Sequence, residues 1–192
     1  MNWETIQMLV VTGILIIGIL SSVAIIFYPR RLYNLKQPIW SRISRNVIYN
    51  ENNIMEGLEI TYYGEKIDHM TNSQILFWNH GTKMIHAQDI STTDPVRIKV
   101  DKTVKILDVK VLPSSLPADA FQIEVKQDEN LIFIRFDSLD RGQGAVIQIL
   151  HTGKPSDEVR VLGSITGAPS IQYLENPIEL VPSALARVSL SA

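Results

Sequence analysis

The stretch Met8-LVVTGILIIGILSSVAIIF-Tyr28 decides the architecture, because its twenty-one residues include no charged side chain. An α-helix rises about 1.5 Å per residue, so the run makes a helix of roughly 31 Å, close to the ~30 Å hydrocarbon core of a bilayer. A core helix of a small soluble domain would carry a polar stripe, which this run lacks. The pattern therefore predicts a transmembrane anchor over residues 1–29.

The flanks of the run favour a retained anchor over a cleaved signal peptide. A signal peptide has a basic n-region and a shorter apolar run, whereas Met1-Asn2-Trp3-Glu4 contains no basic side chain. Basic flanks stay on the cytoplasmic side of a membrane, so we expect the N-terminus outside and the rest of the chain inside. All the nearby basic residues follow the run: Arg30, Arg31, Lys36, Arg42 and Arg45.

These five basic residues define a juxtamembrane segment over residues 30–45. Its leucines and isoleucines recur at roughly helical intervals, but Pro38 lacks an N–H and would end a helix, so a short helix to about Lys36 and then an irregular strap are expected. One interpretation is a topology signal followed by a linker. The alternative is that the five cations are contacts for anionic lipid headgroups.

From residue 46 the apolar period changes to two, which is typical of β-strands. Turn-forming residues separate the runs, and no long helical pattern lies among them, so residues 46–167 predict an antiparallel β-sandwich of immunoglobulin-like type. The tail 168–192 is interrupted by prolines, and it is expected either to wrap the sandwich or to lie loose. A further alternative is that its end, residues 184–190, docks as a short helix or strand against a partner. The expected strands are 57–63, 74–78, 83–87, 96–100, 104–111, 121–125, 131–136, 145–150 and 159–165.

Composition excludes several classes of function. Residues 51–192 carry thirteen basic and nineteen acidic side chains, and this net charge of −6 argues against nucleic-acid binding, which needs a cationic face. The chain has no cysteine, so disulfides and thiolate metal sites are impossible. An Asn-x-Ser/Thr sequon is also lacking. Both features fit a domain in a reducing cytosol.

Three segments carry a family resemblance: Leu58-EITYYG-Gly64, Phe77-WNHGTKMIHAQDI-Ile90 followed by Asp94-Pro95, and Asp140-RGQGAVIQILHTG-Gly153. In these segments the chain resembles an uncharacterised bacterial family of single-pass membrane proteins with a β-sandwich domain. The resemblance covers roughly residues 55–167. It implies this architecture and a bacterial origin, and it implies no activity.

No constellation of residues predicts a catalytic, cofactor or metal site. His80, His86 and Asp89 form the tightest group of metal-binding side chains, but Gly81 interrupts their strand and the spacing matches no zinc motif. Asp137 and Asp140 lack the ligand pattern of a calcium loop. The segment Gly163-SITG-Gly167 places its serine outside the centre of a nucleophile elbow.

The segment Phe77-Trp78-Asn79-His80-Gly81 is the best candidate for a binding surface. Adjacent residues of a strand point to opposite faces, so one of the two aromatic side chains is free to face outward. The candidate partner patch is therefore Trp78, Asn79 and His80. The alternative is that a loop covers Trp78 and that the following three residues only form a turn.

These features predict a single-pass protein of a bacterial inner membrane with a cytoplasmic β-domain. Its expected role is that of a binding, adaptor or sensor module without a cofactor, which holds a partner protein at the membrane and is not an enzyme. Its partners are the bilayer and either another protein or further copies of itself. One alternative is a metal-dependent hydrolase centred on His80 and His86. Another is a structural subunit that packs through Gly18 and Ser22, which lie one helical turn apart.

Overall fold

The computed structural model describes residues 2–32, 35–49, 60–112, 120–155, 159–175 and 180–191, with the backbone alone at 24–32, 49 and 188–191. The chain divides into two compact units, Met1–Leu35 and Lys36–Ala192. The first is helical and the second is mainly β, so the predicted order of an apolar helix followed by a β-rich domain is confirmed.

The helix of the first unit, α1, runs from Trp3 to Leu32. The hydroxyl groups of Thr12 and Ser22 are satisfied within the helix, since Thr12 donates to the Met8 carbonyl at 2.7 Å and Ser22 donates to that of Gly18 at 2.7 Å. Internal satisfaction of polar groups is what hydrocarbon requires. Among the described residues, Trp3–Val23 is the one stretch long and apolar enough to cross a membrane, and none of it is buried. A signal sequence near the N-terminus would satisfy the same criteria of length and hydropathy.

The described part of the second unit contains thirteen strands, one α-helix, α2 (Ser183–Ser191), and two short 3₁₀-helices at Ala87–Asp89 and Gln127–Glu129. The strands are β1 (Pro38–Tyr49), β2 (Thr61–Tyr62), β3 (Glu65–Lys66), β4 (His69–Asn79), β5 (Ile85–His86), β6 (Arg97–Val100), β7 (Ile106–Leu112), β8 (Phe121–Lys126), β9 (Leu131–Phe136), β10 (Ser138–Leu139), β11 (Gly144–His151), β12 (Val159–Leu162) and β13 (Gln172–Tyr173).

Two larger sheets organise these strands. A five-stranded sheet has the order β13-β1-β4-β11-β7, and a four-stranded sheet has the order β12-β6-β9-β8. Every neighbouring pair is antiparallel except β1 and β13, which run parallel. Two short ladders, β2-β3 and β5-β10, complete the pairing among the described residues.

The main core lies between the two sheets, because side chains from both enter one cluster. The five-stranded sheet contributes Phe77 and Ile147, and the four-stranded sheet contributes Ile98, Ile134 and Phe136, all at most 4% exposed. Successive side chains of a strand point to opposite faces, so the neighbours of these residues lie on the outer faces of the two sheets. Most strands expected between residues 74 and 165 are confirmed. The expected strand 57–63 lies largely outside the described residues.

The opposite face of the five-stranded sheet is buried as well. A second apolar cluster on that face contains Ile39, Leu76, Trp78 and Val146, and Leu185 of α2 completes it. The C-terminal segment therefore packs as a helix against its own sheet, in agreement with the alternative that the tail wraps the sandwich. Both faces of β4 and β11 are covered as a result.

The juxtamembrane segment differs most from its prediction. Residues 38–45 are not an irregular strap, because they form the first half of β1 and pair with β4 from Pro38↔Asn79 onward. Pro38 is tolerated because it is the first residue of its strand, where a missing N–H costs little. The compact unit consequently begins at Lys36 instead of residue 46, and it includes the tail.

Gly144 of β11 permits the close approach of the two central strands. A Cβ at this position would lie 2.0 Å from the Phe77 carbonyl oxygen and 2.6 Å from the Trp78 Cα. These neighbours are backbone atoms inside a sheet that is covered on both faces, so they have little room to shift.

We expect Gly144→Ala to lower the free energy of unfolding of the β-unit by about 3 kcal/mol, because the added methyl forces β11 away from β4. Chemical denaturation of the full chain in detergent, followed by tryptophan fluorescence, measures the loss. Gly18→Ala is the matched control, since a Cβ added at Gly18 would meet nothing within 4 Å. A loss in Gly144→Ala as small as that in the control would contradict the close-approach argument.

Candidate functional site

Lys36, the first residue of the second unit, forms a largely buried ion pair with Asp89. Three residues separate Leu32 from Lys36. Lys36 is 6% exposed, and its Nζ lies 2.7 Å from Asp89 Oδ1 and 3.0 Å from the Thr166 carbonyl oxygen. Lys36 is therefore a structural cation that links two loops, and its predicted role as a lipid-headgroup contact is wrong because its charge is buried and paired.

Asp89 is held in its ionised form. Burial alone would raise the pKa of this carboxyl group. The hydrogen bonds from Lys36 and from the His86 backbone N–H, together with the positive charge of Lys36, outweigh burial and bring the pKa below its ordinary value of 3.8. The His86 N–H donates to Asp89 Oδ2 at 2.7 Å. The ion pair is consequently intact at neutral pH.

The Asn79 side chain hydrogen-bonds to the backbone of Gln37, which follows Lys36, and to the backbone of three further residues. Its Oδ1 accepts hydrogen bonds from the backbone N–H groups of Gln37 at 3.2 Å and Gly81 at 3.0 Å. Its Nδ2 donates to the carbonyl oxygens of Lys83 at 2.9 Å and Leu139 at 3.0 Å. An asparagine amide offers two donors and two acceptor lone pairs, and all four are used here. Asn79 is fully buried, so it is a structural connector.

The predicted partner patch is not a surface in this structure. Trp78 and Asn79 are both 0% exposed, and His80 is half-buried. Trp78 does point away from the main core, as the alternation of the strand predicts, but Leu185 of α2 and its neighbours cover it. Its indole Nε1 has no hydrogen-bond partner. The alternative interpretation, a covered tryptophan followed by a turn, agrees with the structure.

The other four residues predicted to contact lipid headgroups are arginines, two in α1 and two in β1. Arg30 and Arg31 belong to the last turn of α1, and their side chains lie outside the described residues. Arg42 and Arg45 are in β1, where Arg42 is half-buried and Arg45 is exposed. For these four arginines contact with lipid headgroups stays a prediction.

The histidines and acidic residues do not form a metal centre in the described part of the chain, where no three of them are grouped suitably. Asp89, which the sequence groups with His80 and His86, forms a salt bridge with Lys36. His86 is exposed, whereas His80 is half-buried.

A buried serine–histidine chain was not predicted from the sequence. Ser73 Oγ lies 2.8 Å from both His151 Nε2 and Ser44 Oγ. The Gly153 N–H donates to His151 Nδ1 at 3.1 Å, so the proton of the neutral ring is on Nε2 and is donated to Ser73. A general base needs that nitrogen unprotonated. Ser73 is also only 1% exposed, and the chain is therefore structural.

Comparison with known proteins found no matching family model, no matching curated protein and no matching solved structure.

We expect Asn79→Ala to cost about 3 kcal/mol of unfolding free energy, because it leaves two buried N–H groups and two carbonyl oxygens without partners. Asn79→Asp, which keeps the size and the acceptor but loses both N–H donors, is expected to be similarly destabilised. His80→Ala, at the half-buried neighbouring position, is the control. Urea denaturation of the three variants tests this, and equal losses for Asn79→Ala and His80→Ala would refute the connector role.

The depressed pKa of Asp89 predicts a definite pH dependence. A carboxyl group whose pKa is lower in the folded state stabilises the fold above its unfolded value of 3.8, and this contribution disappears as the pH falls through the folded value. We expect Asp89→Asn to be about 2 kcal/mol less stable than the wild type at pH 7, with the difference narrowing below pH 3.8. Denaturation curves across this range measure it. Asp128→Asn, at an exposed turn position, is the control, and a difference that does not change with pH would contradict the assignment.

Proposed function

We propose that the chain is a membrane-tethered binding module, in which α1 is a retained anchor and the β-unit holds a partner protein at the membrane. The observation that carries the proposal is α1 itself, whose apolar residues 3–23 have no protein surface to cover them. Tethering raises the effective concentration of the β-unit toward any partner at the same bilayer, so even a weak contact becomes useful.

The location follows from the charges that flank the anchor. Five basic residues follow the apolar run and none precedes it. On the positive-inside rule this asymmetry supports an N-terminus outside and a β-unit in the cytoplasm. The resemblance to bacterial single-pass proteins supports an inner membrane as the site. The core shared by the two sheets supports an antiparallel sandwich of immunoglobulin-like type.

The outer edge of β1 is the surface we propose for the partner. On that side β13 pairs with Ile39 and Trp40, and no other described strand continues the pairing toward Tyr49. An unpaired edge offers backbone N–H and C=O groups to an extended segment of another protein. Val47 on this edge is 56% exposed.

Two features make this edge selective. A register shift between Asn46 and Ile48 bends the strand, and Arg45 is exposed beside it. Bulges and charges on an edge discourage indiscriminate pairing. A segment with an acidic side chain opposite Arg45 would meet both the backbone and the charge requirement.

A photo-reactive amino acid at Val47 tests the proposal in intact cells. We expect one discrete protein adduct that stays with the membrane fraction after alkaline washing and is weakened by Arg45→Glu. The matched control is the same amino acid at Tyr63, which is 95% exposed in the turn between β2 and β3. The same adduct at both positions, or none at Val47, would overturn the partner site. Recovery of a shortened chain in the soluble fraction would overturn the anchor.

A further inference from the structure

The strand β7 forms one edge of the five-stranded sheet. One side of β7 pairs with β11, and no described strand pairs with its other side. An edge of this kind presents a row of backbone N–H and C=O groups that can pair with a further strand. The strand runs over seven residues, Ile106–Leu112, so it is long enough for a regular ladder.

Two side chains of opposite charge flank the middle of β7. Val109 is the central residue of the strand, with Asp108 before it and Lys110 after it. The Lys110 Nζ lies 2.7 Å from Asp108 Oδ2, and the two side chains are still 67% and 38% exposed. On β11 the residues directly opposite them are Gln148 and Leu150, which carry no charge. The sheet of one copy therefore supplies no cross-strand charge to either residue.

The other groups near this pair do not change the charge pattern of the edge. Lys105, which precedes the strand, forms a salt bridge with Glu65 of β3. The groups besides Asp108 that act electrostatically on Lys110 are the phenols of Tyr62 and Tyr63. A strand that approaches this edge therefore meets one carboxylate and one ammonium group, on either side of Val109.

A second copy of the same strand matches this charge pattern. When a strand pairs antiparallel with its own copy about a two-fold axis, residues equally far from the axis lie opposite each other. With the axis at Val109, Asp108 of each copy lies opposite Lys110 of the other copy. Opposite charges in directly opposite positions stabilise a sheet. The axis also passes through the middle of β7, so the whole strand is paired.

The neighbouring registers are unfavourable. Side chains alternate between the faces, so the pairing of two copies shifts by two residues at a time, which moves the axis by one residue. An axis at Asp108 places two carboxylates opposite each other, and an axis at Lys110 does the same with two ammonium groups. Like charges in opposite positions destabilise a sheet. The charges of β7 therefore select the register centred on Val109. The irregular pairing with β11 lies at the Ile106 end of β7, outside this central run.

Half-buried apolar side chains of β7 add to the charge pairs. Val109 and Val111 pack against the main core, and Leu112 packs against the second apolar cluster. All three side chains keep some exposure in a single copy. β-branched side chains are favourable cross-strand neighbours, so Val109 opposite its own copy contributes apolar burial at the axis.

We propose that β7 pairs with β7 of a second copy of the chain, antiparallel about a two-fold axis at Val109. The two five-stranded sheets then continue as one sheet across the dimer. β1 and β13 lie at the opposite edge of each sheet, so both copies of β1 stay clear of this interface. The inference goes beyond the proposed function, and it does not require α1 to be a membrane anchor.

Disulfide formation at the axis tests the pairing, because the chain has no cysteine of its own. In Val109→Cys the new thiol lies opposite its own copy, with a Cα separation of about 4.5–5.5 Å that permits a disulfide. Oxidation of the full chain in detergent by copper–phenanthroline is expected to give a covalent dimer on a non-reducing gel. Val47→Cys is the matched control, since Val47 is an exposed valine on the opposite edge of the same sheet.

Charge exchange in the Val109→Cys chain tests the register. Asp108→Lys and Lys110→Asp each place like charges opposite each other at two positions, so each variant alone is expected to form roughly tenfold less covalent dimer. A mixture of the two variants restores opposite charges at both positions, and we expect it to recover the dimer. Lys83→Asp, which reverses an exposed charge in a loop, is the matched control and should leave the dimer unchanged.

Several results would overturn the pairing. These are a disulfide yield at Val109→Cys no higher than at Val47→Cys, a yield that both charge variants leave unchanged, and a mixture that does not recover the dimer. A covalent dimer formed through Val47→Cys alone would assign self-association to the β1 edge instead. Asp108 and Lys110 are exposed, so both charge variants are expected to unfold at the same urea concentration as the parent chain, which separates loss of pairing from loss of folding.

Discussion

Both faces of the five-stranded sheet have to be covered, and this constraint governs the rest of the β-unit. β4 carries Phe77 toward one face and Trp78 toward the other, and neither aromatic side chain is exposed. Burial of side chains of this size contributes roughly 2–3 kcal/mol each. A second sheet is sufficient for the first face. The second face depends on the C-terminal helix, and the apolar cluster around Leu185 is the result.

The first residues of the β-unit, Lys36 and Gln37, are held by polar groups, unlike the sheet interior. An ion pair of this kind adds little net stability because two charges lose their hydration, but removing one partner leaves the other charge desolvated and unpaired, which is destabilising. Lys36 and Asp89 therefore make one placement of the loops strongly preferred. Asn79 acts in the same sense, since its four hydrogen bonds are satisfied by one backbone arrangement only. Lys36 and Gln37 are thus held in one position within the β-unit.

Much of the fold follows from local sequence patterns, whereas the site depends on long-range contacts. The alternation in Leu131-IFIRF-Phe136 predicts a strand because each second side chain is apolar. The same reasoning missed β1, since its arginines and Pro38 are typical of a membrane flank. It also could not decide whether Trp78 is covered, because Leu185 lies more than a hundred residues away. Nothing in the local sequence around Lys36 indicates that it is buried, because its partner Asp89 lies close to it only in the folded chain.

The parallel pairing of β1 with β13 has a consequence for how the protein is made. Ile39 pairs with Gln172, and the Trp40 ring lies 4.5 Å from that of Tyr173. β1 pairs with β4 along its length, but its other edge is closed by a segment more than a hundred residues later in the chain, and closing so long a loop is slow. During synthesis this edge of the sheet is therefore complete only once Gln172 and Tyr173 have been made.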